Sequence, residues 1–368
     1  MNRKIRFWGA VTALVLLLVG GGLTFRMIQE RRATEAADAA QRTKWEQQET
    51  PGDRREVDYA FFSTNEFSEN NAFNRAQPFK EKRVLYDGKH YTRHTGIKAV
   101  LLIGVDRKKE GFQEERLPID QGQADAVYLA VYNTSRNTVK ILQIPRDTQA
   151  VMYSTDVNGK DIGMGVDNLL MAYNSGDGVT KSCDRMCEAV EKLLGGLKMD
   201  HYIAGDANII VDLNDLLGGV TVIVPGEGLE WIDPAFTKGA AVTLHGKQAE
   251  RFVRARDITE DNTAIYRMER HKAFIKGFQR RLKQCLRSDS RIVDKMFDTI
   301  EGDMLTDMKR SEYTELTMSA LAGGQDLADG DFLMLPGKPV AGKQYDEYHP
   351  YYADINKMIL ELFYYPSD

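Results

Sequence analysis

The hydrophobic residues of this chain form short runs of strand length that alternate with stretches of helical spacing. Ile97–Val105 is almost continuously apolar, which predicts a strand covered on both faces. A second strand is predicted at Ala126–Tyr132, just after Asp125, and a third at Val139–Ile144. The third strand should end at Pro145, because proline cannot donate to a strand ladder.

Turn residues and apolar periodicity place the other elements. Asp87-Gly88 lies between two short segments and predicts a tight hairpin, because both residues tolerate positive φ. Six helices are predicted, at Val179–Leu194, Ala207–Leu217, Leu244–Arg256, Tyr266–Leu286, Ile292–Ile300 and Glu312–Leu321. Further strands are predicted at His201–Ala204, Val220–Val224 and Phe332–Leu335. This alternation predicts an α/β fold, a three-layer α-β-α sandwich with a mixed central sheet.

The N-terminal segment has a different pattern. Phe7–Phe25 contains no charged residue and follows three basic residues, and a bilayer span needs about 20 apolar residues. A cleaved signal peptide is the alternative, although its apolar region would be shorter and no small-residue cleavage site follows. The basic leader favours a cytoplasmic N-terminus, while three arginines soon after the span weaken that preference. We expect a single-pass protein of the cell membrane with a cytoplasmic tail at 1–6, a transmembrane helix at 7–25, an extracellular stem at 26–83 and an extracellular catalytic domain at 84–368.

Composition excludes some classes of function. The chain has 368 residues, of which 42% are hydrophobic and 28% are charged, as in a globular protein. The net charge of -5 argues against a nucleic-acid partner, which would require a basic surface. Three cysteines are too few for a disulfide scaffold, so we expect them to be small core residues.

Charged residues collect where the first three strands begin or end. Asp106 follows the first strand, Asp125 precedes the second, and Arg146-Asp147 follow the third. If these strands are antiparallel neighbours, all four side chains come to one edge of the sheet. The alternative is that each is an ordinary strand end, with only a local Arg–Asp pair.

Two further arginine pairs lie in the predicted helical region. Arg254 and Arg256 are two residues apart, whereas Arg267 and Arg270 are three apart and share a helical face. Together with Arg146 they make five arginines beside three carboxylates. The guanidinium group binds phosphate in a bidentate manner and stays charged, so this set favours a polyphosphate site over a solvated cationic surface.

The motifs containing these residues resemble, in their order, those of the LytR-CpsA-Psr proteins, a family of membrane-anchored cell-envelope phosphotransferases. The resemblance covers roughly Ile97–Leu335. It is carried by LLIGVD (Leu101–Asp106), ADAVYLAVYN (Ala124–Asn133), ILQIPRDT (Ile141–Thr148), NLLMAYNSG (Asn168–Gly176), EKLLGGLKMDHYIAGD (Glu191–Asp206), LLGGVTVIVP (Leu216–Pro225), LHGKQAERFVRARD (Leu244–Asp257) and RMERH (Arg267–His271).

The resemblance implies transfer of a glycopolymer, with its phosphate, from a polyprenyl-pyrophosphate carrier to a peptidoglycan hydroxyl. It implies that the prenyl chain enters an apolar pocket and that Mg²⁺ (or Mn²⁺) is the cofactor, with Asp106 and Asp125 as metal ligands. Asp147 would orient Arg146 or take a proton, so the implied catalytic residues are Arg146, Asp147 and Asp125. The implied pyrophosphate-binding residues are Arg146, Arg254, Arg256, Arg267 and Arg270.

Two other functions fit the same residues. A pyrophosphatase would use water as the acceptor, and a non-catalytic envelope protein would bind or scaffold polyprenyl-phosphate lipids without cleaving them. Phosphoryl transfer depends on charge neutralisation and needs no protein nucleophile, so no Ser-His-Asp or Cys-His set is required. His271 stands where the family often has glutamine, and we expect both His271 and His245 on the helix surface.

Overall fold

The computed structural model describes residues 57–107, 122–255, 263–322, 325–342 and 345–367. Its strands are β1 (Arg83–Tyr86), β2 (Lys89–Arg93), β3 (Ile97–Asp106), β4 (Gln123–Asn133), β5 (Thr138–Ile144), β6 (Gln149–Thr155), β7 (Asp161–Asn168), β8 (His201–Gly205), β9 (Val220–Ile223), β10 (Ala241–Leu244), β11 (Met304–Thr306), β12 (Phe332–Met334), β13 (Gly337–Ala341), β14 (Asp346–Pro350) and β15 (Tyr364–Pro366). Its α-helices are α1 (Glu69–Phe73), α2 (Thr180–Leu193), α3 (Asn208–Leu216), α4 (Lys247–Arg254), α5 (Thr263–Ser288), α6 (Ile292–Ile300), α7 (Arg310–Leu321) and α8 (Tyr352–Phe363).

A six-stranded mixed sheet forms the centre, in the order β11-β8-β3-β4-β5-β12. Strands β3, β4 and β5 are successive antiparallel neighbours, which is the condition under which their charged ends meet at one edge of the sheet. Strand β8 is parallel to β3, β12 is parallel to β5, and β11 is antiparallel to β8. The predicted mixed central sheet is therefore confirmed.

Helices cover both faces of this sheet. Along β3, Val100 and Leu102 face the core formed with α3 to α7, whereas Leu101 and Ile103 face the core formed with α2 and α8. All four side chains are buried. This burial on both faces explains the nearly unbroken apolar run in the sequence, because neither face of the strand meets water.

The N-terminal part of the described chain packs on the second of these cores. The predicted hairpin is present as β1 and β2, with positive φ at Asp87 (52°) and Gly88 (68°), and β15 adds a third strand. Phe79 is fully buried in the same core, so the folded body begins before the expected boundary at Val84. The predicted transmembrane segment and residues 26–56 of the predicted stem lie outside the described residues. Among the residues that are described, no helix has the length and apolar character needed to cross a membrane.

Several elements had no prediction. The β6–β7 hairpin exposes much of β7, so the alternation that marks a half-buried strand is missing there. Strands β13 and β14 form a second small hairpin. Helix α8 buries residues at helical spacing, including Ile355, Ile359 and Phe363, and this periodicity was present in the sequence.

Candidate active site

A β-bulge positions the first pair of carboxylates. Gly104 of β3 pairs with Ala126 of β4, but Val105 pairs with Ala124, so Asp125 is an extra residue without a partner in this ladder. Asp106 pairs with Gln123, diagonal to Asp125. Bulges commonly redirect a side chain beside a functional site. The two aspartates therefore lie at the same end of the sheet, as predicted.

Close packing supports this end of β3. Gly122, which directly precedes β4, has φ +92° and lies against the main-chain carbonyl of Asp106. A Cβ atom at this position would overlap that oxygen, and the positive φ also disfavours other residues. Glycine here allows the β3–β4 ladder to continue as far as Asp106.

A tight turn after β5 presents Arg146 and Asp147. Thr148 closes the turn by donating to the Pro145 carbonyl, from its main-chain nitrogen at 3.0 Å and from Oγ1 at 2.5 Å. Leu170 donates its main-chain N–H to the Arg146 carbonyl at 2.9 Å. Because the backbone is held on both sides, the direction of the two side chains is well defined.

Arg146 joins two carboxylates. Its Nη1 donates to Asp125 Oδ1, and its Nε lies 3.3 Å from Asp147 Oδ1. The local Arg–Asp pair considered as the simple alternative is present, but the same guanidinium also reaches the bulged residue of β4. All three side chains are largely buried, at 9%, 12% and 5% exposure for Arg146, Asp147 and Asp125. Such a buried network requires well-matched charges.

The helical arginines occupy different places around this pair. Arg267 donates from Nη2 to the main-chain carbonyl of Asp125 at 2.9 Å. Arg254 donates to Glu250 one turn earlier on α4, and its positive charge acts on Asp106. Arg256 lies outside the described residues.

Arg270 faces the C-terminal end of α4. Its Nε donates to the Phe252 carbonyl at 2.7 Å, and its Nη2 donates to the Ala255 carbonyl. These carbonyls belong to a helix end, where acceptors lack intrahelical partners and a cation is favoured. In this structure Arg270 therefore supports the turn that presents Arg254.

The two aspartates have the electrostatics of a cation site. Burial raises the pKa of Asp106, and the charge of Asp125 raises it further against the opposing effect of nearby arginines. Burial also raises the pKa of Asp125, opposed by Arg146 and Arg267, so the two carboxyl groups titrate as a pair. Within the described part of the chain, Oδ1 of Asp106 and Oδ2 of Asp125 are buried without a hydrogen-bond partner.

Orphaned carboxylate oxygens of this kind fit a hard divalent cation such as Mg²⁺, which takes oxygen ligands and commonly uses one or two carboxylates. No cluster of three or more His, Cys, Asp or Glu residues suited to a metal occurs in the ranges that the structure describes. Substrate oxygens and water could complete the coordination of an ion held by Asp106 and Asp125.

The arginines have the electrostatics of an anion site. Burial, reinforced by the charge of Arg146, lowers the pKa of Arg267 to about 9, and burial lowers the pKa of Arg270 to about 10. Burial also lowers the pKa of Arg254. These groups remain charged at neutral pH, although they are desolvated and Arg146 and Arg267 repel each other. A bound polyanion would offset both the desolvation of the guanidinium groups and their mutual repulsion.

His271 is buried, and its expected place on the helix surface is wrong. The side chain is 3% exposed, its Nδ1 lies 2.7 Å from the Tyr128 hydroxyl, and its Nε2 lies 3.1 Å from the Val253 carbonyl. His271 follows Arg267 by four residues and precedes buried Phe274 by three, so it belongs to the buried stripe of α5. That spacing in the sequence could have indicated that His271 is buried. For Tyr128, the sequence indicated only that it lies in a strand. His245, in contrast, is exposed as predicted, although it precedes α4 and does not lie on the helix.

Comparison with known proteins identifies the family of this chain. The model of the LytR_cpsA_psr family matches residues 59–361, a range that contains all the predicted site residues. The chain belongs to this family.

Two curated relatives in this family carry specific names. Polyisoprenyl-teichoic acid–peptidoglycan teichoic acid transferase TagU of Bacillus mycoides (strain KBAB4) is 28% identical over 250 residues, which are 65% of this chain and 68% of the relative. TagT of Bacillus subtilis (strain 168), with the same descriptive name, is 27% identical over 169 residues, or 44% of this chain. The match spans 47% of the length of TagT, so the chain covers about half of that relative.

A solved structure shares the fold of this LytR_cpsA_psr protein. The crystal structure of Bacillus subtilis TagV superimposes with a TM-score of 0.52 at 19% sequence identity. The superposition covers 72% of this chain and 96% of TagV. At this identity the likeness shows the shared fold, and the chemistry must be argued from the site itself.

Proposed function

We propose that this protein is a transferase that attaches a glycopolymer to peptidoglycan. The observation that carries the proposal is the cluster in which Arg146 and Arg267 converge on the bulged Asp125, next to Asp106. The names of the relatives support the same activity, because both describe transfer from a polyisoprenyl carrier to peptidoglycan. The proposed donor is a polyprenyl-pyrophosphate-linked glycan, and the acceptor is a peptidoglycan hydroxyl.

The arginines would bind the pyrophosphate. Arg146 and Arg267 contact Asp125, and the charge of Arg254, from α4, acts on Asp106. Arg256 is proposed from the family resemblance alone. Arg270 would contribute to the field of the site while it supports the α4 turn through the Phe252 and Ala255 carbonyls.

Asp106 and Asp125 would hold the divalent cation, Mg²⁺ or Mn²⁺, through the oxygens that have no hydrogen-bond partner in the described chain. When bound, the cation would neutralise charge on the pyrophosphate oxygens. Arg146 already contacts Asp125, so substrate binding would place arginine, carboxylate and phosphate in one network. We propose the divalent ion as a requirement of the reaction.

The proposed reaction exchanges one phosphorus–oxygen bond for another. The acceptor hydroxyl attacks the glycan-bearing phosphorus, the phosphoanhydride bond breaks, and polyprenyl phosphate leaves with the electron pair. The product is a phosphodiester between glycan and peptidoglycan. Asp147, 3.3 Å from Arg146 Nε, would orient that arginine, and Asp147 or Asp125 would take the hydroxyl proton.

We also propose that the protein is held in the cell membrane by residues 7–25, with the catalytic domain outside the cell. The prediction depends on the uncharged segment Phe7–Phe25 and its basic leader. Fusions after Asp368 to a reporter that works only outside the cytoplasm and to one that works only inside will test it. Activity of the cytoplasmic reporter alone would contradict the proposal.

A reconstituted reaction tests the activity. The full-length protein in detergent would be incubated with a polyprenyl-pyrophosphate-linked glycan, Mg²⁺ and soluble peptidoglycan fragments, and the products would be analysed by mass spectrometry. A phosphodiester-linked glycan–peptidoglycan product is expected, with release of polyprenyl phosphate. Release of polyprenyl phosphate and free phosphoglycan regardless of acceptor would indicate a pyrophosphatase. Binding without cleavage would indicate a lipid-binding scaffold.

A further inference from the structure

We propose that His271 and Tyr128 are positioning residues that hold Arg254 and Arg267 in place relative to Asp125. The inference rests on the proposed function, since it concerns the same site. The two residues form a buried hydrogen-bonded link between the sheet and two helices, and each of the three elements that they join carries a residue of the site.

The link begins in the sheet. Tyr128 is fully buried on β4, three residues after Asp125, and its hydroxyl lies 2.7 Å from His271 Nδ1. His271 is on α5, four residues after Arg267 and directly after Arg270. Through this contact, the helix that carries both arginines is tied to the strand that carries the bulged aspartate.

The link continues to α4. His271 Nε2 lies 3.1 Å from the carbonyl of Val253, the residue directly before Arg254. Because a carbonyl can only accept, Nε2 must carry the ring hydrogen, and Nδ1 must then accept from the Tyr128 hydroxyl. The three groups therefore define one neutral tautomer of His271, with both ring nitrogens satisfied.

A second contact runs beside the first. Gln143 of β5 is buried and donates from Nε2 to the Met268 carbonyl of α5 at 3.4 Å. This bond is long, so the shorter contacts of His271 should dominate the placement of the helices. Removal of the imidazole would leave the buried Tyr128 hydroxyl and Val253 carbonyl without these partners. The end of α4 would then be held less firmly, although Arg270 would still bind the Phe252 and Ala255 carbonyls.

Glutamine is the informative replacement. Its amide carries a donor and an acceptor at a separation similar to that of the two ring nitrogens, so it can donate to Val253 and accept from Tyr128. Leucine has a similar volume and can do neither. If His271 were only a space-filling core residue, leucine would serve at least as well as glutamine.

The experiment uses the full-length protein with His271→Gln, His271→Leu and Tyr128→Phe, and with His245→Leu as a control at an exposed histidine. Amide hydrogen exchange would be measured in peptides covering 250–255, 264–275 and the β3–β5 strands. Binding of inorganic pyrophosphate with Mg²⁺ and the kcat and KM for the lipid-linked donor would be measured in parallel.

We expect His271→Leu to speed exchange in 250–255 while β3–β5 stay protected, and to weaken pyrophosphate binding and lower kcat/KM by roughly tenfold, as for one or two lost hydrogen bonds. Tyr128→Phe should act in the same direction with a smaller effect. His271→Gln should stay close to the wild type in every measurement, and so should His245→Leu.

Equal losses in the glutamine and leucine variants, or unchanged exchange in 250–255 for both His271→Leu and Tyr128→Phe, would overturn the proposal. If His271→Leu does not fold, Tyr128→Phe decides the result. A wild-type protein that transfers no glycan would refute the proposed function, whereas the exchange and pyrophosphate measurements would still test the positioning role.

Discussion

Arg267 reaches from α5 to the sheet, where its Nη2 donates to the main-chain carbonyl of Asp125 at 2.9 Å. Asp125 is the bulged residue of β4 and has no ladder partner on β3, and the β4–β5 pairing begins only at Val127. Arg267 thus donates to the carbonyl of a residue that has no register partner on β3 or β5. The contact joins the arginine cluster to the strand that presents the carboxylate.

The first prediction concerns Arg146. Arg146→Ala should lower kcat/KM at least roughly tenfold, because a charge-assisted hydrogen bond contributes about 1.5–3 kcal/mol. Arg146→Lys should recover only part of the loss, since an ammonium group cannot contact Asp125 and Asp147 in the same fork geometry. Initial rates at limiting and saturating donor would measure both. Arg136→Ala, at an exposed arginine, is the control, and wild-type rates in Arg146→Ala would show that the site lies elsewhere.

The second prediction concerns the divalent cation. Asp106→Asn and Asp125→Asn keep the shape of the side chain but remove an anionic oxygen ligand, so each variant should need more Mg²⁺ for half-maximal activity. Asp125→Asn should have the larger effect, because it also removes the ion pair with Arg146. Turnover against Mg²⁺ concentration would be compared with that of Asp326→Asn, whose carboxylate pairs with Lys283 much further along α5. Superimposable curves would refute the assignment.

The third prediction separates Arg270 from the other arginines. Arg270→Ala leaves the Phe252 and Ala255 carbonyls without their donor, at a cost of about 1–3 kcal/mol for each buried carbonyl. The free energy of unfolding should therefore fall clearly, as measured by urea denaturation. Arg280→Ala, at an exposed arginine on the same helix, should change it little. If Arg270→Ala loses activity at unchanged stability, then Arg270 acts mainly on substrate.

The fourth prediction concerns pH. Burial, with the charges of Arg267 and Arg270, holds the pKa of His271 well below its ordinary value of 6.5. Above pH 6.5 the histidine is neutral in both states, so its full contribution to stability is present. Below pH 6.5 the unfolded chain takes up a proton that the folded chain does not, and stability is lost as pH falls towards the folded pKa.

His271→Gln removes this titration. The free energy of unfolding of the wild type, relative to that of His271→Gln, should therefore be roughly 2 kcal/mol lower at pH 5 than at pH 7, from about 1.36 kcal/mol per pH unit. Urea denaturation of both proteins at the two pH values would measure it. The same difference at both pH values would show that the pKa of His271 in the fold is close to its ordinary value, as for a histidine exposed to water.

The sequence alone determined the central elements. Burial on both faces leaves an apolar run that no surface segment would carry, so β3 was predicted at nearly its full length. Helix α6 spans Ile292–Ile300, as predicted, because its buried residues recur at helical spacing from the first residue of the helix to the last. The sequence also placed Asp106, Asp125 and Arg146 at strand ends, and these residues come to one edge of the sheet because β3, β4 and β5 are antiparallel neighbours.

Only the tertiary structure decided how these charges are used. The bulge at Asp125 depends on its register with Gly104 and Val105, and the bonds of Arg270 depend on where α4 ends against α5. His271 was misplaced because a polar residue on a helix is usually solvated, whereas here Tyr128 and the Val253 carbonyl satisfy both of its nitrogens. Local patterns report which residues are buried, but the partners of a buried polar group come from distant segments, and packing alone brings those segments together.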